Sequence, residues 1–265
     1  MAGLFRSPCS PATFSAMLRV FQSPAVRHAE PRRHDARVFR WSLSALAASA
    51  LLILPGAQAN ACALALVLAM DSSASVDEAE YTLQMEGLAA ALTDPEVVGA
   101  IETVGGIYLN AFEWSGRYQQ SMQLDWQFID GAGAAQLAAA QLRRKQRAYN
   151  EFPTALGYAL GFAAVQMKSA PQRCARQVVD VAGDGVNNAG FGPQNAYKAF
   201  DFTNITVNGL VIEEPGRLTV DYYAEEVIRG AGAFVEVANG FDDYERAMKR
   251  KLVREIFGSG YAALP

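Results

Sequence analysis

The sequence predicts an α/β fold: a three-layer, doubly wound, mostly parallel sheet with one antiparallel edge strand. Three observations predict it. Short runs such as Ala63 to Met70, wholly apolar, and Val178 to Ala182, apolar apart from Asp180, have the length and composition of strands buried on both faces. Longer segments with apolar residues at helical spacing separate them, and this alternation favours parallel strands with helices on both sides. Two of the runs lead into an aspartate, at Asp71 and Asp184, where open α/β sheets carry their ligand sites.

Residues 1–59 read as a leader. They hold seven arginines against Glu30 and Asp35. Arg37 and Arg40 precede an apolar run from Leu43 to Leu54, which Pro55-Gly56 breaks; Ala57-Gln58-Ala59 and Ala59-Asn60-Ala61 are overlapping small-x-small cleavage sites. These features describe a secretory signal peptide, so the mature chain is expected in the periplasm or outside the cell. A transmembrane anchor would need about 20 apolar residues, more than this run supplies, and no stable membrane insertion of the mature chain is expected. Residues 1–36 are basic, Pro-rich and without sustained periodicity, and fit a start-site artefact with translation beginning near Met17 or Val38. A lipoprotein modified at Cys62 is the alternative, disfavoured because Ala59-Asn60-Ala61 lacks the usual aliphatic position.

The mature elements follow in order. Val76 to Leu92 places Tyr81, Met85, Leu88 and Leu92 at helical spacing. Val104 to Trp114 reads as a strand, and Ser121 to Ile129 alternates like its hairpin partner beyond the turn at Gly116. Ala134 to Tyr149 and Thr154 to Lys168 read as helices, the second with Leu156, Leu160, Ala163 and Met167 on one face. After the run at Val178 come a strand from Ile205 to Ile212, a helix around Tyr222 to Ile228 and a last strand from Ala233 to Ala238. Phe241 to Ile256 closes the chain as an amphipathic helix. No repeat or linker interrupts residues 60–265, which read as one domain.

Charge and composition exclude several functions. Beyond residue 59 the chain holds 16 basic and 25 acidic residues, a net charge that disfavours nucleic-acid and anionic-membrane binding. Both histidines, His28 and His34, lie in the leader. The domain therefore has no Ser-His-Asp or Cys-His apparatus and no imidazole-based zinc site.

The residues that carry chemistry are ordered along the chain. The first apolar run leads into Asp71-Ser72-Ser73-Ala74-Ser75, a later one into Gly183-Asp184-Gly185, and between them Pro153-Thr154 opens a helix. Singly, each has an ordinary structural role: Ser75 with Glu78 as a capping box, Thr154 as an N-cap. Together they resemble the metal-ion-dependent adhesion site (MIDAS) of von Willebrand factor type A (VWA) domains. The resemblance implies that Ser73, Ser75 and Thr154 present hydroxyl oxygens to a divalent cation, with Asp71 and Asp184 acting largely through bound waters. Gly183-Asp184-Gly185-Val186-Asn187-Asn188, with Glu113-Trp114-Ser115 after the second strand, further resembles a bacterial secreted VWA-like family of unknown function over about residues 62–258. Ala74 stands where many relatives carry Gly, and Phe152-Pro153 replaces the usual glycines before the threonine, so both loops are stiffened. Glu151, close by in sequence, reads as a solvated loop acid.

An all-oxygen donor set suits a hard cation, Mg²⁺ or Mn²⁺. Three neutral hydroxyls leave such a metal electrophilic, so a carboxylate from a protein partner can complete its shell. The expected function is a secreted, metal-dependent protein-binding module and not an enzyme. Two alternatives stand: a structural VWA domain with no functional metal, and a phosphatase with Asp71 as nucleophile. The second resembles haloacid-dehalogenase-like enzymes, but Ser73 occupies the position of their second aspartate. Because VWA topology implies that the strands they precede are neighbours, a disulfide is also expected between Cys62 and Cys174, the cysteines left once the leader with Cys9 is gone. They lie nine residues before Asp71 and ten before Asp184. If those aspartates end adjacent parallel strands, the cysteines fall at nearly matching depths within bridging distance, in a compartment where disulfides persist. Two unpaired thiols are the alternative.

Overall fold

In the computed structural model, which describes residues 62–213 and 218–258, the first apolar run forms β1 (Leu64–Asp71), buried along its whole length. There follow α1 (Glu78–Thr93), α2 (Pro95–Thr103), β2 (Ile107–Trp114), β3 (Gln120–Ile129), α3 (Ala132–Arg144), α4 (Leu156–Lys168) and β4 (Arg176–Gly183). The chain continues through α5 (Pro193–Ala199), β5 (Ile205–Ile212), α6 (Thr219–Tyr222) with a π-helical extension over Tyr223–Val227, β6 (Val235–Ala238) and α7 (Tyr244–Phe257). The predicted signal peptide and its cleavage sites lie outside the described residues.

The six strands form one sheet in the order β3-β2-β1-β4-β5-β6. Only β2 and β3 pair antiparallel, so the fold class is the predicted one. Side-chain alternation along β1 divides the core in two. Leu64, Leu66, Leu68 and Met70 pack with Leu88, Ile101, Leu142 and Leu252, which come from α1, α2, α3 and α7. Ala65, Val67 and Ala69 face the other way, against Leu156, Leu160 and Met167 of α4 and Tyr197 of α5. Among the described residues no helix is long and apolar enough to cross a membrane.

Several boundaries differ from expectation for identifiable reasons. The capping box of α1 is Asp77 with Glu80: Glu80 N donates to Asp77 Oδ1 at 2.9 Å and Asp77 N to Glu80 Oε2 at 2.7 Å. Ser75 is thereby free of capping. The second strand starts at Ile107 instead of Val104 because Gly105 and Gly106 turn the chain with φ of 77° and 98°. Glu113 and Trp114 are its last two residues, inside the strand and not after it. The helix expected over 134–149 ends at Arg144, and Lys145 is already extended. Thr154 stands outside α4, which begins at Leu156.

The disulfide is present. β1 and β4 run parallel with Leu64 opposite Arg176, and backbone bonds from Ala175 N to Cys62 O and from Arg176 N to Ala63 O continue that register outward. Cys62 and Cys174 thus fall side by side, with Cα atoms 4.5 Å apart, and are bonded.

One polar cluster lies within the core. Lys251 of α7 is fully buried, with Nζ 2.7 Å from Asp180 Oδ1 of β4 and 2.5 Å from Glu255 Oε1. Asn208 Nδ2 of β5 also donates to Glu255 Oε1, at 2.8 Å.

Candidate metal centre

The parallel register of β1 and β4 decides where the two aspartates fall. Met70 lies opposite Ala182, so Asp71 ends β1 level with Gly183, and Asp184 follows at the same carboxyl edge. Asp71 is wholly buried. Its Oδ1 accepts from Ser73 N at 2.7 Å, and its backbone carbonyl accepts from Gln84 Nε2 at 2.8 Å. Its Oδ2 has no hydrogen-bond partner.

The hydroxyls meet at this point. Ser73 Oγ lies 3.2 Å from both Ser75 Oγ and Thr154 Oγ1, and Ser75 Oγ donates to Asp184 Oδ1 at 2.9 Å. All five residues singled out in the sequence are brought together. Asp71, Ser73, Thr154 and Asp184 are buried, whereas Ala74 and Ser75 are exposed, so the cluster opens to solvent at one side. Glu151 is exposed, as its loop position suggested.

Electrostatics show what the cluster lacks. Burial pushes the Asp71 carboxyl far above its ordinary range, to about 8, and the neighbouring Asp184 charge adds to the rise; the bonds from Ser73 and the charge of Arg147 act against it. A buried carboxylate oxygen without a partner, beside a second acid and three hydroxyls, is an environment that a small hard dication would satisfy. Among the described residues no group of three or more His, Cys, Asp and Glu side chains is placed to hold a metal. A cation site here has to draw on hydroxyls.

Close packing beneath the cluster depends on glycine. A Cβ on Gly183 would stand 2.6 Å from the Tyr223 hydroxyl and 2.9 Å from Asp71 Oδ2, and one on Gly209 would stand 2.6 Å from the Tyr223 ring. All three contacts are shorter than real Cβ atoms show, so these two glycines make room for the tyrosine under Asp71.

The loops around the cluster are fastened to one another. Asn188 Oδ1 accepts from Thr154 N at 2.9 Å, while Asn188 N and Ala189 N donate to the Thr154 carbonyl. That gives the Gly183–Asn188 stretch a concrete task. The two departures from the usual glycines also meet, Ala74 N donating to Phe152 O at 2.8 Å. Glu113 is buried, accepting from Tyr81 OH and from Ala148 N, each at 2.6 Å; burial raises its pKa. Arg147 was not singled out by sequence, because residues 134–149 read as a continuous helix that would have carried it elsewhere. Its only local signal is that it follows the basic run Arg143-Arg144-Lys145.

Comparison with known proteins agrees with the fold. The family model described as protein of unknown function (DUF1194) matches residues 61–260. Among solved structures, proximal thread matrix protein 1 from the mussel byssus superposes with a TM-score of 0.55 at 16% identity, over 74% of this chain and 48% of that one. The same mussel protein with its MIDAS motif occupied by zinc gives 0.53 at 15% identity, over 74% and 46%. The pilus adhesin SpaC from Lactobacillus rhamnosus GG, in its open conformation, gives 0.53 at 12% identity, over 74% and 30%. At such identities the likeness is one of fold, which is VWA-like. The chain spans less than half the length of each of these structures. No curated protein matches the sequence.

Proposed function

The chain belongs to the DUF1194 family, and we propose that it is an exported protein-binding module whose grip on its partner depends on a divalent cation. One observation carries this reading: the hydroxyls of Ser73, Ser75 and Thr154 converge with the buried carboxyls of Asp71 and Asp184 at the carboxyl edge of the sheet. In this assignment the three hydroxyls bind Mg²⁺ or Mn²⁺ directly, and the two aspartates hold its waters. The cation would supply an electrophilic position for a carboxylate of the partner protein. Asp71 orients the Ser73 amide, and Asn188 fixes the backbone of Thr154. Support comes from the zinc-occupied MIDAS of the mussel protein and from the adhesin identity of SpaC. The Cys62–Cys174 bond supports an oxidising compartment, the periplasm or the cell exterior, as does the predicted signal peptide.

The phosphatase alternative draws no support from this geometry. Such enzymes carry a second acid two positions after the nucleophile, and here that position is Ser73, whose amide donates to Asp71 Oδ1 at 2.7 Å. The purely structural alternative has one observation in its favour. The hydroxyls of Thr154, Ser73 and Ser75 and the Asp184 carboxylate form a continuous hydrogen-bonded series among themselves.

A capture experiment separates these readings. The tagged chain is expected to retain a protein from its native envelope in Mg²⁺ buffer and to release it in EDTA, and Asp184→Ala should retain nothing. Capture that survives both EDTA and Asp184→Ala would favour the structural alternative.

A further inference from the structure

We propose that Arg147 is the positioning residue of the metal centre, fixing the turn from Asp71 to Val76 in the shape that brings the hydroxyls together. This rests on the metal-binding reading above. The side chain is 6% exposed. Its Nη2 faces three backbone carbonyls of one turn, Ser72 at 3.0 Å, Ser73 at 3.1 Å and Val76 at 2.7 Å. Nε donates to Tyr149 O at 2.9 Å, which holds the guanidinium in place from its own side. The Tyr81 ring lies 5.2 Å from Cζ, and the adjacent amide, Ala148 N, is anchored by the buried Glu113 carboxyl.

Three carbonyls of a five-residue stretch can point at one nitrogen only if the chain curls around it. That curl turns the carbonyls of Ser72 and Ser73 to the arginine and the amide of Ser73 to Asp71 Oδ1. The Ser73 hydroxyl is then presented to Thr154, which lies seven residues beyond Arg147 on the same segment. The segment therefore touches the metal loop at both of its ends: Arg147 reaches the loop's carbonyls, and Thr154 meets it through a hydroxyl. Between these points Phe152 O accepts from Ala74 N. Neither end is set by local helix or strand geometry, because residues 145–155 leave α3 and do not enter α4 until Leu156. Arg147 is what registers the two loops against each other.

The test is calorimetric titration of the intact chain with MgCl₂, using Arg147→Met, Arg147→Lys and, as a control, Asp94→Ala. Asp94 caps α2, accepting from Glu96 N at 2.8 Å, and is separated from the site by the length of α1, about 24 Å. Its loss lowers stability without reaching the metal loop. Charged-donor bonds are strong enough that Arg147→Met should weaken Mg²⁺ binding by about tenfold or more. In Arg147→Lys the ammonium replaces part of the carbonyl contact but loses the bond to Tyr149, so the expected loss is smaller, about threefold. Asp94→Ala should bind as the parent does, even where its melting temperature falls as far. A parent that binds Mg²⁺ and an Arg147→Met variant that binds it equally well would overturn the inference and leave the metal site standing. Should Arg147→Met fail to fold, unchanged affinity in Arg147→Lys overturns it instead. A folded parent that binds no Mg²⁺ removes the metal reading itself and the inference with it.

Discussion

Replacing Lys251 with methionine is expected to destabilise the protein by about 3–5 kcal/mol. The ammonium is fully buried between Asp180 and Glu255, which are themselves 1% and 2% exposed. A methionine fills much the same volume, so the effect isolates the charge and not a cavity. Removing it leaves two acids facing each other inside the core. The lost stability would be read from denaturant midpoints at constant slope and at about pH 8, where Asp180 is ionised, and a change there under about 1 kcal/mol would show that the ammonium does not offset buried negative charge. The same cluster sets a pH dependence. Burial raises Asp180 to about 7; Lys251 pulls against that rise and Glu255 adds to it, with the buried Tyr244 also nearby. Folded protein thus keeps a proton that the unfolded chain gives up near the ordinary aspartate value of 3.8. The corresponding stability is full below that value and declines as pH rises towards 7. Asp180→Asn should flatten this part of the profile.

Breaking the disulfide is expected to cost about 2–5 kcal/mol in the Cys62→Ser, Cys174→Ser double variant. The bridge spans a sequence separation of 112 residues, and long closed loops gain most in the chain-entropy account. It also ties the outer ends of the two strands whose inner ends carry Asp71 and Asp184. The loss should appear as a lower denaturant midpoint, matched by the parent protein under reductant. Two free thiols on non-reducing peptide mapping, or identical midpoints with and without reductant, would contradict the bridge.

What could be read from sequence and what could not divides along physical lines. β1 is legible because a strand covered on both faces is apolar throughout; β4 and β5 are legible as short runs that are mostly apolar although each carries a buried polar residue, Asp180 and Asn208. The placing of Asp71 and Asp184 at one edge of the sheet is legible because strand ends are fixed once strands are. The short helices α2 and α5 went unseen, at nine and seven residues, because few turns give a periodicity too little room to show. Asp77 does not stand out as the cap of α1 because Ser75 and Glu78 offer the same spacing two residues earlier. The course of residues 145–155 was misread for a different reason. Lys145 to Tyr149 has acceptable helical propensity, and only contacts with Ser72, Ser73, Val76 and Glu113, distant in sequence, draw it out of the helix. Lys251 likewise looked like one more polar residue of an amphipathic helix, since its partner Asp180 lies on a strand 71 positions earlier.

The central claim is that Asp71, Ser73, Ser75, Thr154 and Asp184 together bind a divalent cation. Calorimetric titration of the intact chain with Mg²⁺, in parallel with Asp71→Ala and Asp184→Ala, tests it most directly. The parent should bind one equivalent. Each variant should lose about a hundredfold or more in affinity, since each removes an anionic group that holds the ion's waters while near-UV circular dichroism reports an intact fold. Affinity unchanged in either variant would contradict the assignment.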